Sequence, residues 1–272
     1  MSVPGNLKQK LFSVYPNLFS KPYLVRFHKF LFELSLRGLG VLNSDKKNNG
    51  EKFLFNYLKN HHEIDVVVDV GANVGDYTYE FLDIPSVFCL EPHPETFKKL
   101  KQRFRPTKCR LFELALSDFQ GETKMYDIKG LKGSELATMY EEVISYQHKA
   151  EADFVNIKVS TLDRFVEQNS IDRISLLKLD TEGSEYKILK GASDSLNKGI
   201  VDIIHFEFNY MNVVSRVLLK DYIDLLSNFN LYRLLPDSLL KINYYKDGPL
   251  WYELYHYQNI IAIRKDIDLN ER

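Results

Sequence analysis

The chain has 272 residues, 44% of them hydrophobic and 27% charged, with a formal net charge of -1. That length suits one sizeable α/β domain with a modest extension, and a near-neutral balance excludes a global electrostatic footprint for nucleic acid. No run of about 18 apolar residues is present, so no membrane-spanning helix is expected, and residues 1–10 lack the basic-then-apolar pattern of a secretory signal. Cys89 and Cys109 both fall in apolar runs and read as small core residues rather than a disulfide or metal pair; the cytoplasm is the expected location.

The first 50 residues stand apart, with eight Lys or Arg against two acids, Glu33 and Asp45. Leu24, Phe27, Leu31 and Leu34 share one face of a predicted helix, and Arg26, Lys29, Glu33 and Arg37 line another. Gly38 and Gly40 end it, and 44–50 is a polar loop. A basic helix of this kind packs on the main domain or on a second copy in a homo-oligomer, or makes peripheral contact with an anionic membrane surface. A further helix over 51–59 leads into the first strand. Residues 1–60 are therefore expected to form an N-terminal helical extension, and 61–266 the main domain.

From residue 64 apolar runs alternate with amphipathic segments, which predicts βαβ units and a mainly parallel, doubly wound sheet. Strands are predicted near 65–70, 87–91, 109–114, 174–180, 201–208, 231–235 and 258–264. Helices are predicted near 75–82, 94–104, 184–190 and 216–228. Residues 155–159 alternate like an edge strand, with 122–128 as a partner and a short helix over 162–168. The 130–152 segment follows the third strand and is a candidate lid or binding loop. Tyr244, Tyr245, Trp251, Tyr252, Tyr255, His256 and Tyr257 precede the last strand, either as a stacking wall for sugars or bases or as packing of a final hairpin.

Three constellations carry chemistry. The first is Asp69-Val70-Gly71-Ala72-Asn73-Val74-Gly75, a β-branched strand running into a tight turn, with Glu91 20 positions after Gly71. Glycines there admit close backbone approach of a ligand, and an acid at that distance suits ribose hydroxyls. Asn73 stands where a middle glycine would clear room for a pyrophosphate. Asp69 would repel a phosphate but suit a cationic ligand carrying an amino group and a sulfonium; equally, it caps the turn. The second is Lys178-Leu179-Asp180-Thr181-Glu182-Gly183-Ser184-Glu185, which crowds three carboxylates onto one strand-to-helix turn. Such acids repel one another and raise a pKa, suiting proton abstraction; they could hold a divalent cation or merely cap the helix. The third, ending a later strand, places Glu207 and Asn209 near the same edge, with His205 deeper as a satisfied core histidine. Ser117 and Asp118 follow the third strand, beside an adenine or in a plain turn.

Together, the Asp69–Gly75 turn, Glu91-Pro92, Ala115-Leu116-Ser117-Asp118 and the Lys178–Glu185 segment resemble the FkbM family of S-adenosylmethionine-dependent methyltransferases, in order and rough spacing. The resemblance implies a Rossmann-like, seven-stranded methyltransferase sheet whose last strand is antiparallel. It implies S-adenosyl-L-methionine as cofactor, with the Gly71–Gly75 turn on its methionine part, Glu91 on the ribose and Ser117 or Asp118 on the adenine. Asp180 and Glu182 match the motif that closes the donor site and faces the acceptor. The implied activity is O-methylation, here on a sugar or glycan precursor, with Asp180 or Glu182 as proton acceptor and Glu207 as third candidate. A divalent cation is possible but not predicted. A nicotinamide-dependent oxidoreductase and a non-catalytic scaffold that keeps the fold are the competing readings.

Overall fold

A computed structural model describes residues 5–104, 109–131, 133–134, 136–147 and 149–267. Residues 1–4 of the predicted extension, and Lys132, Glu135 and His148 of the predicted loop, lie outside the described residues. In chain order, two helices come first, α1 (Gly5–Phe19) and α2 (Val25–Gly38), then α3 (Glu51–His61). They are followed by β1 (Val66–Val70), α4 (Asp76–Tyr79), β2 (Ser86–Leu90), α5 (Pro94–Arg103), β3 (Arg110–Phe112), β4 (Ala115–Leu116) and β5 (Gly121–Ile128). Next come β6 (Ala152–Ser160), α6 (Leu162–Asn169), β7 (Ile174–Leu179), α7 (Glu185–Lys190), α8 (Ser193–Asn197) and β8 (Val201–Phe208). The chain closes with α9 (Met211–Ser215), α10 (Leu219–Leu225), β9 (Phe229–Leu234), β10 (Leu239–Lys241), α11 (Tyr244–Asp247) and β11 (Gln258–Arg264).

The main sheet has the order β10-β9-β11-β8-β7-β1-β2-β3. Strands β3, β2, β1, β7 and β8 run parallel, and β11 is antiparallel to both β8 and β9. This is the Rossmann-like methyltransferase arrangement the sequence predicts, with an antiparallel last strand. It carries eight strands rather than seven, because the chain after β9 folds back as β10 and extends the edge, with the Leu235 amide donating to Ser238 O at 2.9 Å. A separate small sheet pairs β5 with β6 antiparallel and β6 with β4. Lys124 opposite Asn156 fits the predicted pairing of 122–128 with 155–159.

Successive strand residues point to opposite faces, so the valine and leucine runs feed two apolar layers. Val68, Val70, Leu177, Leu179, Ile204, Phe206 and Phe208 share one layer with Tyr222 of α10. Val67, Leu176, Ile203 and Ile261 share the other with Leu54 and Leu58 of α3 and with Leu100 and Phe104. Helix α3, counted in sequence terms with the extension, therefore packs as part of the sheet's own cover. Strand order reverses between β1 and β7, opening a crevice at their carboxyl ends, where ligands bind in folds of this kind.

Candidate active site

A cavity of about 850 Å³ occupies that crevice, near the upper end of the roughly 300–1,000 Å³ usual for small-molecule sites. Gly71, Glu91 and Asp180 each stand one residue beyond β1, β2 and β7, so one rim gathers three stretches that are distant in sequence. Of the predicted site residues, Asp69, Gly71, Asn73, Glu91, Asp180, Glu182 and Glu207 line the cavity.

Gly71 is where backbone approach is closest. Its φ is +82°, and a Cβ there would lie 1.8 Å from the carbonyl oxygen of Asp180. The amides of Gly71 and Ala72 donate to Leu90 O, at 2.9 and 3.0 Å, and the Asp180 amide donates to Val70 O at 3.0 Å. The turn and the acidic motif are thereby fixed to one another. Glu91 is buried, and its carboxylate accepts from the amides of Asn73 at 2.9 Å and His93 at 2.8 Å. Burial pushes it up to about 7 against the pull of those amides. Each oxygen keeps lone-pair capacity toward the cavity, as a partner of ribose hydroxyls requires.

Register explains the rest of the floor. Cys89, Asp69, Lys178 and His205 are neighbours across β2, β1, β7 and β8 and form a polar row on one face of the sheet. Asp69 is buried and accepts the Thr78 hydroxyl at 2.6 Å; burial raises it to about 6, opposed by Thr78 and Lys178. His205 lies between Tyr77 OH at 3.1 Å and Asn259 Oδ1 at 3.0 Å, the satisfied core histidine expected of it. Burial holds it well below its ordinary value.

Lys178 is the residue sequence reasoning passed over. It is 1% exposed, it lines the cavity, and its Nζ makes no hydrogen bond. The ammonium lies 3.8 Å from both Glu51 Oε1 and Asp180 Oδ2, and 5.3 Å from the centre of the Tyr77 ring. Burial works to lower its pKa, but Asp180, Glu207, Glu51 and Asp69 outweigh burial and hold it charged. The signal was present in the sequence: a lysine inside a six-residue strand that is otherwise apolar apart from Ser175.

Around it stand the carboxylates. Burial, reinforced by Asp180 and relieved by Lys178, pushes Glu207 up to about 8. Burial and the charges of Asp180, Glu207 and Glu185 hold Glu182 well above the carboxylate range. Glu182 sits at φ +52°, and its carbonyl accepts the Thr138 hydroxyl at 2.8 Å, which ties the 130–152 segment over the site; Ser134, Ala137 and Met139 line the cavity from that segment. Tyr210 and Tyr257 complete the wall near Glu207.

Other predicted residues lie elsewhere. Gly75 does not line the cavity; a Cβ there would meet the Phe104 ring at 2.2 Å, so its smallness serves the approach of α4 to α5. Ser117 is wholly buried and Asp118 pairs with Lys190 at 3.3 Å; the cavity instead meets Leu114, Ala115 and Leu116 just before them. Glu185 is an internal cap, accepting from the Thr181 amide at 2.8 Å, its hydroxyl at 2.9 Å and the Gly183 amide at 3.1 Å. Of the late aromatics only Tyr257 reaches the cavity; Tyr244 and Tyr252 pack together with rings 5.9 Å apart. Among the described residues no group of three or more His, Cys, Asp or Glu is disposed to hold a metal ion.

Comparison with known proteins agrees with this geometry. The chain is similar to the hexuronic acid methyltransferase AglP of Haloferax volcanii, 29% identical over 153 residues. That match takes in 54% of this chain and 59% of the relative, so it spans less than two thirds of that protein's length. Among solved structures, the chain matches a TehB-like SAM-dependent methyltransferase from Corynebacterium glutamicum (11% identity, 88% of this chain, 100% of that chain, TM-score 0.40). Another is an rRNA methylase from Streptococcus thermophilus (10% identity, 78% and 93%, TM-score 0.37). The model of the methyltransferase FkbM domain matches residues 69–233, more than half of the chain, and takes in Glu91, Asp180, Glu182 and Glu207. The chain belongs to the methyltransferase FkbM domain family.

Proposed function

We propose that this protein methylates a hydroxyl oxygen of a sugar or glycan precursor. The observation that carries the reading is the facing of one buried, unbonded ammonium, Lys178, with the carboxylates of Asp180, Glu182 and Glu207 in a cavity also lined by Gly71 and Glu91. The hexuronic acid named for the relative supports a carbohydrate acceptor.

The residues present fit the donor. Gly71 lets its turn pack directly on the Asp180 backbone at the cavity wall, Glu91 offers spare acceptor capacity, and Leu114 to Leu116 give an apolar edge for a flat base. Bound S-adenosylmethionine supplies a methyl group already electrophilic on its sulfonium. The chain's own task is then alignment, exclusion of water and removal of the acceptor proton. Lys178, buried behind Asp180, acts through its charge, which favours the negative charge that grows on the acceptor oxygen. Asp180, whose carboxylate is the most open of the group with its side chain 41% exposed, takes the hydroxyl proton through Oδ2 and passes it to water. Glu207 and Glu182 hold protons near neutrality and serve as hydrogen-bond donors to neighbouring acceptor oxygens.

The test is transfer of labelled methyl to a panel of hexuronic-acid glycans and neutral sugars, with donor affinity measured separately. Asp180→Asn should keep donor binding within about threefold and lose roughly 10²-fold or more in turnover. Full turnover by that variant would remove Asp180 from the proton-accepting role.

A further inference from the structure

The most exposed apolar surface of the molecule is the arm formed by α1 and α2. Phe12 is 62% exposed, Tyr23 78%, Phe30 57% and Phe32 54%, with Leu7, Leu11, Val14, Leu18, Phe27, Leu31 and Leu34 also open. Leu36 is the one residue of α2 classed as buried. The helices are joined through Pro22–Leu24 and touch where His28 Nε2 meets Phe19 O at 2.9 Å and where the Tyr15 and His28 rings meet edge to face, 5.9 Å apart. They do not cover one another. Apolar surface of this extent on a folded chain marks a contact with something else.

Each helix carries an apolar arc, with Phe12 and Phe32 as further exposed rings off it. In α1, Leu7, Leu11, Val14 and Leu18 fall on one arc at helical spacing; in α2, Phe27, Leu31 and Leu34 do so, while Arg26, Lys29 and Arg37 lie on another. Residues 5–38 hold six cations, Lys8, Lys10, Lys21, Arg26, Lys29 and Arg37, against the single acid Glu33. We propose that this arm lies in the interface of a lipid bilayer bearing anionic headgroups, its apolar arc among the acyl chains and its cations at the phosphates. Charge chooses between occupants. A second copy would set six cations against six, whereas an anionic bilayer neutralises them while taking up the aromatic and leucine side chains. Long basic stems also reach from an apolar bed to a charged surface, as Lys8 already does over the Phe12 ring at 5.6 Å.

Beyond the arm, the chain anchors firmly to the body. Val41 is wholly buried, and Arg233 donates to Leu39 O at 3.1 Å. The following residues Ser44, Lys46, Asn49, Glu51 and Lys52 line the cavity. Docking of the arm therefore holds the cavity rim within a few residues of the lipid surface.

The full chain is to be floated with vesicles of phosphatidylcholine alone and with about 30 mol % phosphatidylglycerol. Binding to the mixed vesicles is expected to be at least tenfold tighter, and largely released at roughly 0.5 M salt. Arg26→Gln with Lys29→Gln, and separately Phe27→Ser with Phe30→Ser, should each weaken binding by about tenfold or more, with donor affinity unchanged. Donor affinity reports an intact body whatever the vesicles do. Failure of the wild-type chain to float with anionic vesicles, or undiminished binding by both variants, overturns the proposal. So does a vesicle-free oligomer that Phe27→Ser with Phe30→Ser dissolves, since the face would then belong to a second copy.

Discussion

Replacing Gly71 by alanine tests the geometry on which the site rests. The new Cβ would stand 1.8 Å from Asp180 O, whereas ordinary contact begins at 3.4 Å, so the two turns must part by about 1.6 Å. A residue with a side chain at φ +82° adds about 1–2 kcal/mol of backbone strain. Parting the turns stretches the Asp180 amide bond to Val70 O, a net loss of about 1 kcal/mol. We predict a stability loss of about 2–4 kcal/mol in urea unfolding. Because a misplacement of about 1 Å can cost 10²-fold in rate, turnover should fall by at least that factor. Donor affinity, measured by calorimetry on the folded fraction, should fall at least tenfold, since two turns that line the cavity are forced apart. Donor affinity within about threefold of wild type, with stability changed by under about 0.5 kcal/mol, would refute the reasoning.

Gly75→Ala is the matched control. Its Cβ would strike the Phe104 ring at 2.2 Å and Leu100 at 2.8 Å, away from the cavity, so stability should drop by about 1–3 kcal/mol while donor affinity of the folded fraction stays within threefold; a donor defect larger than the stability defect would return Gly75 to the binding site. Stability should also depend on pH with an unusual sign. Asp69 and Glu91 are raised, to about 6 and about 7, so below about pH 4 both folded and unfolded chains are protonated and nothing is lost. Between there and about pH 7 the unfolded chain releases protons that the folded chain keeps, so stability falls as pH rises, by on the order of 3 kcal/mol for each group. Urea midpoints that stay flat or climb from pH 4 to 7 would contradict the burial of these carboxylates.

Much of the architecture was legible because burial writes itself into the sequence. The mainly apolar runs at Val66 to Val70 and Val201 to Ile204, each interrupted by one aspartate, announce strands covered on both faces, and the alternation at 155–159 announces a half-exposed one, as β6 is. Weak signals were missed. Helix α1 carries Pro16, which argues against a continuous helix, and the two-residue β4 and three-residue β10 are too short to show a period. At the site, Glu185 matches Asp180 and Glu182 in residue type and sits on the same turn, yet it folds inward onto the Thr181 and Gly183 amides.

By itself the sequence determined the order of strands and helices, the turns at Gly71 and Asp180, and the family to which they belong. Those depend on local conformation and on whether a stretch is buried, and both are recorded in residue type and spacing. Tertiary structure alone decided that Lys178 stands at the cavity without a hydrogen bond and that Ser117 and Gly75 do not reach it. It also left the arm's phenylalanines and leucines uncovered. Such outcomes depend on which side chains meet across strands far apart in the chain, and no spacing along the chain encodes that meeting.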